Sequence, residues 1–188
     1  MTTIIAVQTS TGAYMAADTQ ATEVSRRWRL SPDDYKIYND QHYLIAGAGD
    51  IRALNIIKWL ATPPEPPETS DIEHLTRFMA RTFVPYLQNL YLEHKYPVEL
   101  IQEKPDEYGI DMIVCVNGVV FSVDAEWGIT QDQRGIYAQG SGSAYALGFL
   151  SSVKKFTQAS LERAIEVAGD WDIGTGQEAT VFYQKRLA

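Results

Sequence analysis

The sequence predicts an α+β fold, and three observations carry that expectation. Short apolar runs of strand length alternate with turn residues at the start of the chain and again in its middle. Asn117-Gly118 lies between two such runs, Gly109 to Val116 and Val119 to Val123, and Asn-Gly in that setting is the strongest short hairpin signal. Amphipathic helical patterns come in two pairs, so the order is strands, two helices, strands, two helices and a strand. Antiparallel hairpins with paired helices indicate two sheets packed face to face with a helical layer outside each. The order by itself establishes only α+β.

Each element has a local reason. Thr3 to Gln8 is β-branched and apolar, Ser10-Thr11-Gly12 is a turn, and Ala13 to Ala17 is a second apolar run that ends at Asp18. A hairpin of this shape brings its ends together and returns Asp18 to the neighbourhood of Thr2. Thr19 to Pro32 is polar and arginine-rich, with Arg26, Arg27, Trp28 and Arg29 in succession. It reads as a solvated loop or edge hairpin, or as one wall of a cleft. Tyr35 to Tyr38 is a strand, Asn39-Asp40-Gln41 a turn, and Tyr43 to Ala46 a strand running into Gly47-Ala48-Gly49-Asp50. A helix follows from about Asp50 to Ala61, with Leu54, Ile57 and Ala61 on one face. Thr62 to Thr69, rich in proline, breaks it as a stiff connector within the domain.

Ser70 or Asp71 caps the next helix, whose apolar stripe is Ile72, Leu75, Met79, Phe83, Leu87 and Leu90, with a kink at Pro85. Pro97 to Glu107 is polar and irregular. Trp127 to Gln133 is a short loop and strand edge, and Ile136 to Ala138 a strand. That strand feeds Gly140-Ser141-Gly142-Ser143 and a helix from Ala144 to Lys155. Thr157 or Ser160 starts the last helix, whose Leu161, Ala164, Ile165 and Ala168 repeat at helical spacing up to Gly169-Asp170. Asp172 to Gly176 is a turn and Ala179 to Tyr183 the final strand.

Composition narrows the function classes. The 188 residues fit one domain, spanning 1–188, with enough chain for a substantial core. A net charge of −8 excludes a broad basic surface for nucleic acid. The one cysteine, Cys115, sits in an apolar run and reads as a buried, inert thiol. His42, His74 and His94 lack metal-ligand spacing, so neither a metal nor a cofactor is expected. No apolar run reaches the roughly 20 residues of a membrane span, and the N-terminus lacks the pattern of a signal peptide. A cytoplasmic protein is expected.

The chemistry is concentrated at the N-terminus. Without Met1 the chain begins at Thr2, and a threonine there carries its own base: the α-amine, with a reference pKa of roughly 7.7–8.0, stands beside the hydroxyl. Gly47-Ala48-Gly49, between a strand and a helix, can leave backbone N–H groups free to face an anion.

The opening Thr2-Thr3-Ile4-Ile5-Ala6-Val7, the hairpin ending in Ala16-Ala17-Asp18, and Gln20-Ala21-Thr22 resemble the start of a mature proteasome β-type subunit and of its HslV-like bacterial relative. These are N-terminal-nucleophile threonine hydrolases, and the chain also resembles proteasome-like proteins of bacteria and phages. The resemblance runs nearly the whole length. It implies a four-layer α-β-β-α sandwich. It matches Thr2 to the nucleophile, Asp18 and Lys36 to the aspartate and lysine beside it, and Gly47 to the oxyanion-hole glycine. Ser141 falls in the Gly-Ser-Gly stretch, and Asp172 and Thr175 match an Asp-x-x-Ser with threonine in place of serine. The interval from Asp18 to Lys36 is slightly longer than is usual in the family, so Lys36 is anchored on Lys36-Ile37-Tyr38 before Asn39-Asp40. Ala48 or Gly49 can replace Gly47 in the oxyanion role.

The resemblance further implies peptide-bond hydrolysis of peptides or unfolded proteins inside a self-assembled homo-oligomeric ring, served by an ATPase unfoldase or a cap. Ile45 and the residues near Thr22 and Ala48 would shape the side-chain pocket. Activation is expected to need only methionine aminopeptidase acting on Met1, with no longer leader. Two other readings stay open: an amidase of the same class acting on a small-molecule amide, and a catalytically silent ring or assembly protein.

Overall fold

A computed structural model describes residues 2–23, 26–97 and 109–187. Residues 98–107 of the segment read as irregular, and Val24 and Ser25 of the arginine-rich one, lie outside the described residues. Strands β1 (Thr3–Gln8) and β2 (Gly12–Asp18) form the opening hairpin, and β3 (Gln20–Glu23) pairs with β4 (Arg26–Arg29) in a small sheet of their own. Next come β5 (Ile37–Asn39), β6 (Tyr43–Gly49) and helix α1 (Ile51–Leu60). Helix α2 (Ile72–Phe78), a π-helical turn (Met79–Phe83) and α3 (Val84–Glu93) run on from one another. They are followed by β7 (Ile110–Val116), β8 (Val119–Val123), β9 (Ile129–Thr130) and β10 (Ile136–Gly140). Helices α4 (Ser143–Leu150) and α5 (Gln158–Trp171) and strand β11 (Ala179–Lys185) close the chain.

Two larger sheets result, in the orders β10-β1-β2-β11 and β5-β6-β7-β8-β9, with every neighbouring pair antiparallel. Period-2 alternation divides their side chains between faces. Ile4, Ala6, Met15 and Ala17 of the first sheet share one apolar cluster with Leu44, Ala46, Ile113, Cys115 and Val120 of the second. The opposite face of the first sheet (Ile5, Val7, Ala16) packs with Leu150, Leu161, Ile165 and Ala168 of α4 and α5. The opposite face of the second (Tyr43, Ile45, Met112, Val114, Phe121) packs with Leu54, Ile57, Leu75, Phe83 and Leu87 of the other helices. Both sheets are therefore apolar on both faces, and each fully buried large aliphatic contributes about 1.5–3 kcal/mol.

The local signals act as read. Asp50 and Asp71 cap α1 and α2 by accepting from the N–H groups of Arg52 and His74, and Thr157 and Ser160 form a capping box on α5. Asn117 (φ 54°) and Gly118 (φ 75°) make the turn between β7 and β8 with both residues left-handed. Cys115 is buried, and burial pushes its thiol far above the usual range, so it is inert at neutral pH.

Four details differ from the sequence reading. The Pro85 irregularity is a π turn just before the proline, where Val84 N–H reaches back to Met79 C=O. Proline has no N–H to donate, and the ladder re-registers ahead of it. Ile72, expected on the buried stripe, is exposed, because the apolar face begins at Leu75. Helix α4 ends at Leu150 rather than Lys155; the Ser151 and Ser152 hydroxyls donate back to the carbonyls of Leu147 and Phe149 and close it. Strand β6 continues through Gly47-Ala48-Gly49, which pair with Met112, Asp111 and Ile110 instead of forming a turn.

Candidate active site

The β1–β2 register pairs Ile4 with Ala17, which sets Thr2 and Thr3 beside Asp18. The Asp18 carboxylate is only 1% exposed and is held from every side. Its Oδ1 accepts from Thr2 Oγ1 (2.7 Å), Thr3 N–H (2.9 Å) and Lys36 Nζ (2.7 Å). Its Oδ2 accepts from the N–H groups of Gln20 (3.0 Å) and Gly176 (2.9 Å). Lys36 also donates from Nζ to Thr2 Oγ1. Thr2, Asp18 and Lys36 thus form a closed triangle of hydrogen bonds, and all three are buried. Burial pulls the Lys36 ammonium below its ordinary range, and the charge and hydrogen bond of Asp18 draw it only part of the way back.

A second cluster adjoins the first. Asp172 Oδ2 accepts from Thr175 Oγ1 (2.5 Å) and Ser141 Oγ (2.7 Å), and Asp172 Oδ1 accepts from Gly174 N–H (3.2 Å). Partial burial raises the Asp172 carboxyl, but the hydrogen bonds from Thr175, Ser141 and Gly174 outweigh it and leave it below the usual carboxylate range. Thr175 Oγ1 lies 2.6 Å from Thr3 Oγ1, and Ser141 Oγ 3.5 Å from the Thr2 carbonyl oxygen. Ser141 is not a helix cap; Gly142 occupies that position on α4. The glycines beside Ser141 have steric reasons. Gly140 has φ +92°, and a Cβ there would come within 2.1 Å of the Thr2 carbonyl oxygen. A Cβ on Gly142 would meet Thr3 Oγ1 at 2.2 Å.

Thr2 and Lys36 open onto a pocket of about 320 Å³ lined by Ala21, Thr22, Trp28 and Leu30 of the β3–β4 region and by Gly47, Gly49 and Leu54. All seven residues picked from the sequence are therefore gathered at one place: Thr2, Asp18 and Lys36 at the centre, Gly47 in the pocket wall, and Ser141, Asp172 and Thr175 behind. Thr22 lines the pocket as expected. Ile45 does not; it lies on the same face of the sheet as Gly47 but is fully buried deeper among the helices. Ala48 does not line it either, since alternation along β6 presents Gly47 and Gly49 there. Trp28 lies in the arginine-rich segment read as one wall of a cleft, and it lines the pocket; the sequence assigns no individual site role to Gln20, Gly176 or Leu54. Trp28, apolar within an arginine run, is the one with a visible signal. The backbone donors from Gln20 and Gly176 leave no trace in residue type. Among the described residues, no group of three or more His, Cys, Asp or Glu could hold a metal ion, and no helix is long and apolar enough to cross a membrane.

No protein-family model matches the chain, and no curated protein matches it by sequence. Solved structures do. Thiobacillus denitrificans BPH, a bacterial proteasome homolog, is 20% identical, with a TM-score of 0.73 over 99% of this chain and 98% of that one. The same protein in complex with epoxomicin is 19% identical, with a TM-score of 0.72 over 99% of both chains. HslV from Trypanosoma brucei is 19% identical, with a TM-score of 0.63 over 98% of this chain and 99% of that one. From end to end, the chain has the proteasome-like fold shared by BPH and HslV.

Proposed function

We propose that residues 1–188 form one domain of the four-layer α-β-β-α type and act as an N-terminal threonine peptidase once Met1 is removed. The observation that carries this reading is the buried triangle of Thr2 Oγ, Lys36 Nζ and Asp18, opening onto a pocket large enough for a side chain. The three stacked apolar clusters support the layer assignment.

In the processed chain the free amine of Thr2 is the base. Thr2 Oγ attacks the carbonyl carbon of the scissile amide, and its proton passes to the amine. Lys36, already bonded to Oγ and made more acidic by burial, shares its proton with the developing alkoxide. Its positive charge also keeps the Thr2 amine from holding a proton too tightly. Asp18, fixed by five donors, positions Lys36 and balances its charge. The N–H of Gly47 stabilises the oxyanion of the tetrahedral intermediate. The amine returns the proton to the leaving nitrogen, the C–N bond breaks, and an ester remains on Thr2. Water, deprotonated by the same amine, attacks the ester and restores Oγ–H. Ser141, Asp172 and Thr175 hold the strand end that carries this amine. The working form is an assembled homo-oligomeric ring, a reading the proteasome-like fold supports, and its proposed location is the cytoplasm. An ATPase unfoldase or cap would feed it peptides or unfolded protein.

The test is the intact mass of the purified protein before and after a peptide epoxyketone such as epoxomicin, the compound held by the similar BPH structure. The reagent closes a ring only on a free N-terminal amine and its neighbouring hydroxyl. The expected result is a mass lacking methionine that gains one inhibitor, and no gain in Thr2→Ala. A chain that keeps Met1 and gains nothing overturns the proposal in favour of an assembly protein. A processed chain that gains nothing overturns it in favour of an amidase whose pocket rejects peptides.

A further inference from the structure

Thr3 follows the proposed nucleophile and opens β1 with a polar side chain that is fully buried. In the sequence it reads only as the first residue of a strand. Its backbone N–H donates to Asp18 Oδ1 at 2.9 Å, and its hydroxyl lies 2.6 Å from that of Thr175. Thr3 is therefore bonded to both halves of the site, the Thr2–Asp18–Lys36 triangle and the Ser141–Asp172–Thr175 group. The carbonyl of the peptide that joins it to Thr2 meets Ser141 Oγ at 3.5 Å.

The protons on these groups run one way. Asp172 is ionised at neutral pH, so it only accepts. Thr175 gives its one hydroxyl proton to Asp172 Oδ2 at 2.5 Å. Toward Thr3 its oxygen is then an acceptor, which makes Thr3 the donor at the head of the line from Thr3 through Thr175 to Asp172. The pair is also sealed. A Cβ on Gly142 would fall 2.2 Å from Thr3 Oγ1, 2.6 Å from Thr175 Oγ1 and 3.2 Å from the Ala168 methyl carbon. The bare α-carbon of Gly142 thus closes over the two hydroxyls, and both threonines are buried. Hydrogen bonds in series reinforce one another in such a place, and bulk water does not stand in for a missing donor.

We propose that Thr3 is a positioning residue of the reaction: its hydroxyl, donating to Thr175, fixes the rotation of the chain end that carries Thr2. With its N–H tied to Asp18 and its side chain tied to Thr175, the Thr2–Thr3 peptide cannot turn without breaking one of the two bonds. The amine and hydroxyl of Thr2 lie at the free end of that peptide, so its rotation sets how both meet the scissile carbonyl. A displacement of about 1 Å at a reacting group can slow a reaction about a hundredfold. Thr3 itself does not line the pocket, so it acts on the rate and not on substrate binding. The assignment rests on the peptidase reading proposed above.

The experiment measures kcat and KM for a peptide in the full chain carrying Thr3→Ser, Thr3→Val or Thr3→Ala. Circular dichroism verifies folding, and intact mass verifies loss of Met1. Thr3→Ser keeps the donor and is expected to stay within about twofold of wild type. Thr3→Val keeps the shape and excludes water but cannot donate, so kcat should fall roughly ten- to hundredfold with KM unchanged. Thr3→Ala opens a space in which a water can donate to Thr175, and its kcat should lie between those two. A side chain that only fills space gives the reverse order, because alanine removes more contact than valine. A Thr3→Val equal to wild type, a Thr3→Ser as slow as Thr3→Val, a Thr3→Ala slower than Thr3→Val, or a loss confined to KM or to stability overturns the assignment and spares the peptidase. If Thr3→Val does not fold, Thr3→Ala against Thr3→Ser decides by the same fall in kcat. A wild type that neither hydrolyses peptide nor takes up epoxyketone overturns the peptidase reading, and the assignment falls with it.

Discussion

The chain opens with two hairpins in succession, and they could hardly differ more. In β1–β2 almost every residue is buried; the pair lies inside a four-stranded sheet covered on both faces. In β3–β4 the second strand is exposed throughout, and the hairpin is a two-stranded sheet by itself. The first hairpin fixes atoms: it sets Thr2 against Asp18 and lets Gly140 approach the Thr2 carbonyl. The second hairpin offers surface: Ala21 and Trp28 to the pocket, Arg27 and Arg29 to the depression behind it. A lone two-stranded ribbon is marginal in water and adapts to its neighbours. Under the proposed function, positioning the reaction falls to the buried hairpin and choosing what reaches it to the exposed one.

The comparison is broken most severely at Asp18. Asp18→Ala leaves Lys36 buried without its counter-ion and three backbone N–H groups without an acceptor. Chemical denaturation should show a loss of about 3–5 kcal/mol, and turnover should vanish. Gly140→Ala comes next. Its new Cβ collides with the Thr2 carbonyl at a residue held at φ +92°. A loss of about 2–4 kcal/mol and a fall in kcat are expected from melting and peptide assays, since relief requires displacing Thr2.

The pH profile sharpens the comparison without a mutation. Activity should rise as the Thr2 amine loses its proton, then fall as Lys36 loses its own. Because burial lowers the Lys36 pKa, that alkaline fall must come below the ordinary lysine value of 10.5. A rate that climbs steadily through that pH would instead make Lys36 the proton acceptor. The smallest effect belongs to the second hairpin. Trp28→Ala should raise KM for peptides about three- to tenfold with kcat unchanged. Its stability should stay within about 0.5 kcal/mol of wild type, because the strand it leaves is exposed.

Local patterns were enough for the elements: their period, the caps Asp50, Asp71 and Thr157, and the turn at Asn117-Gly118 all act within a few residues. The first hairpin also announced the meeting of Thr2 and Asp18, because a short turn leaves its two ends little freedom. The rest was settled by tertiary structure. That β10 and β11 flank the opening hairpin, that Thr175 reaches Thr3 across 172 residues, and that Gly176 donates to Asp18 across 158 depend on which buried faces fit together. No local preference encodes such closures. The same holds for Ile45 and Gly47, two residues apart on β6: one fills the core and the other lines the pocket, because the strand outruns its neighbour β5 where the pocket begins.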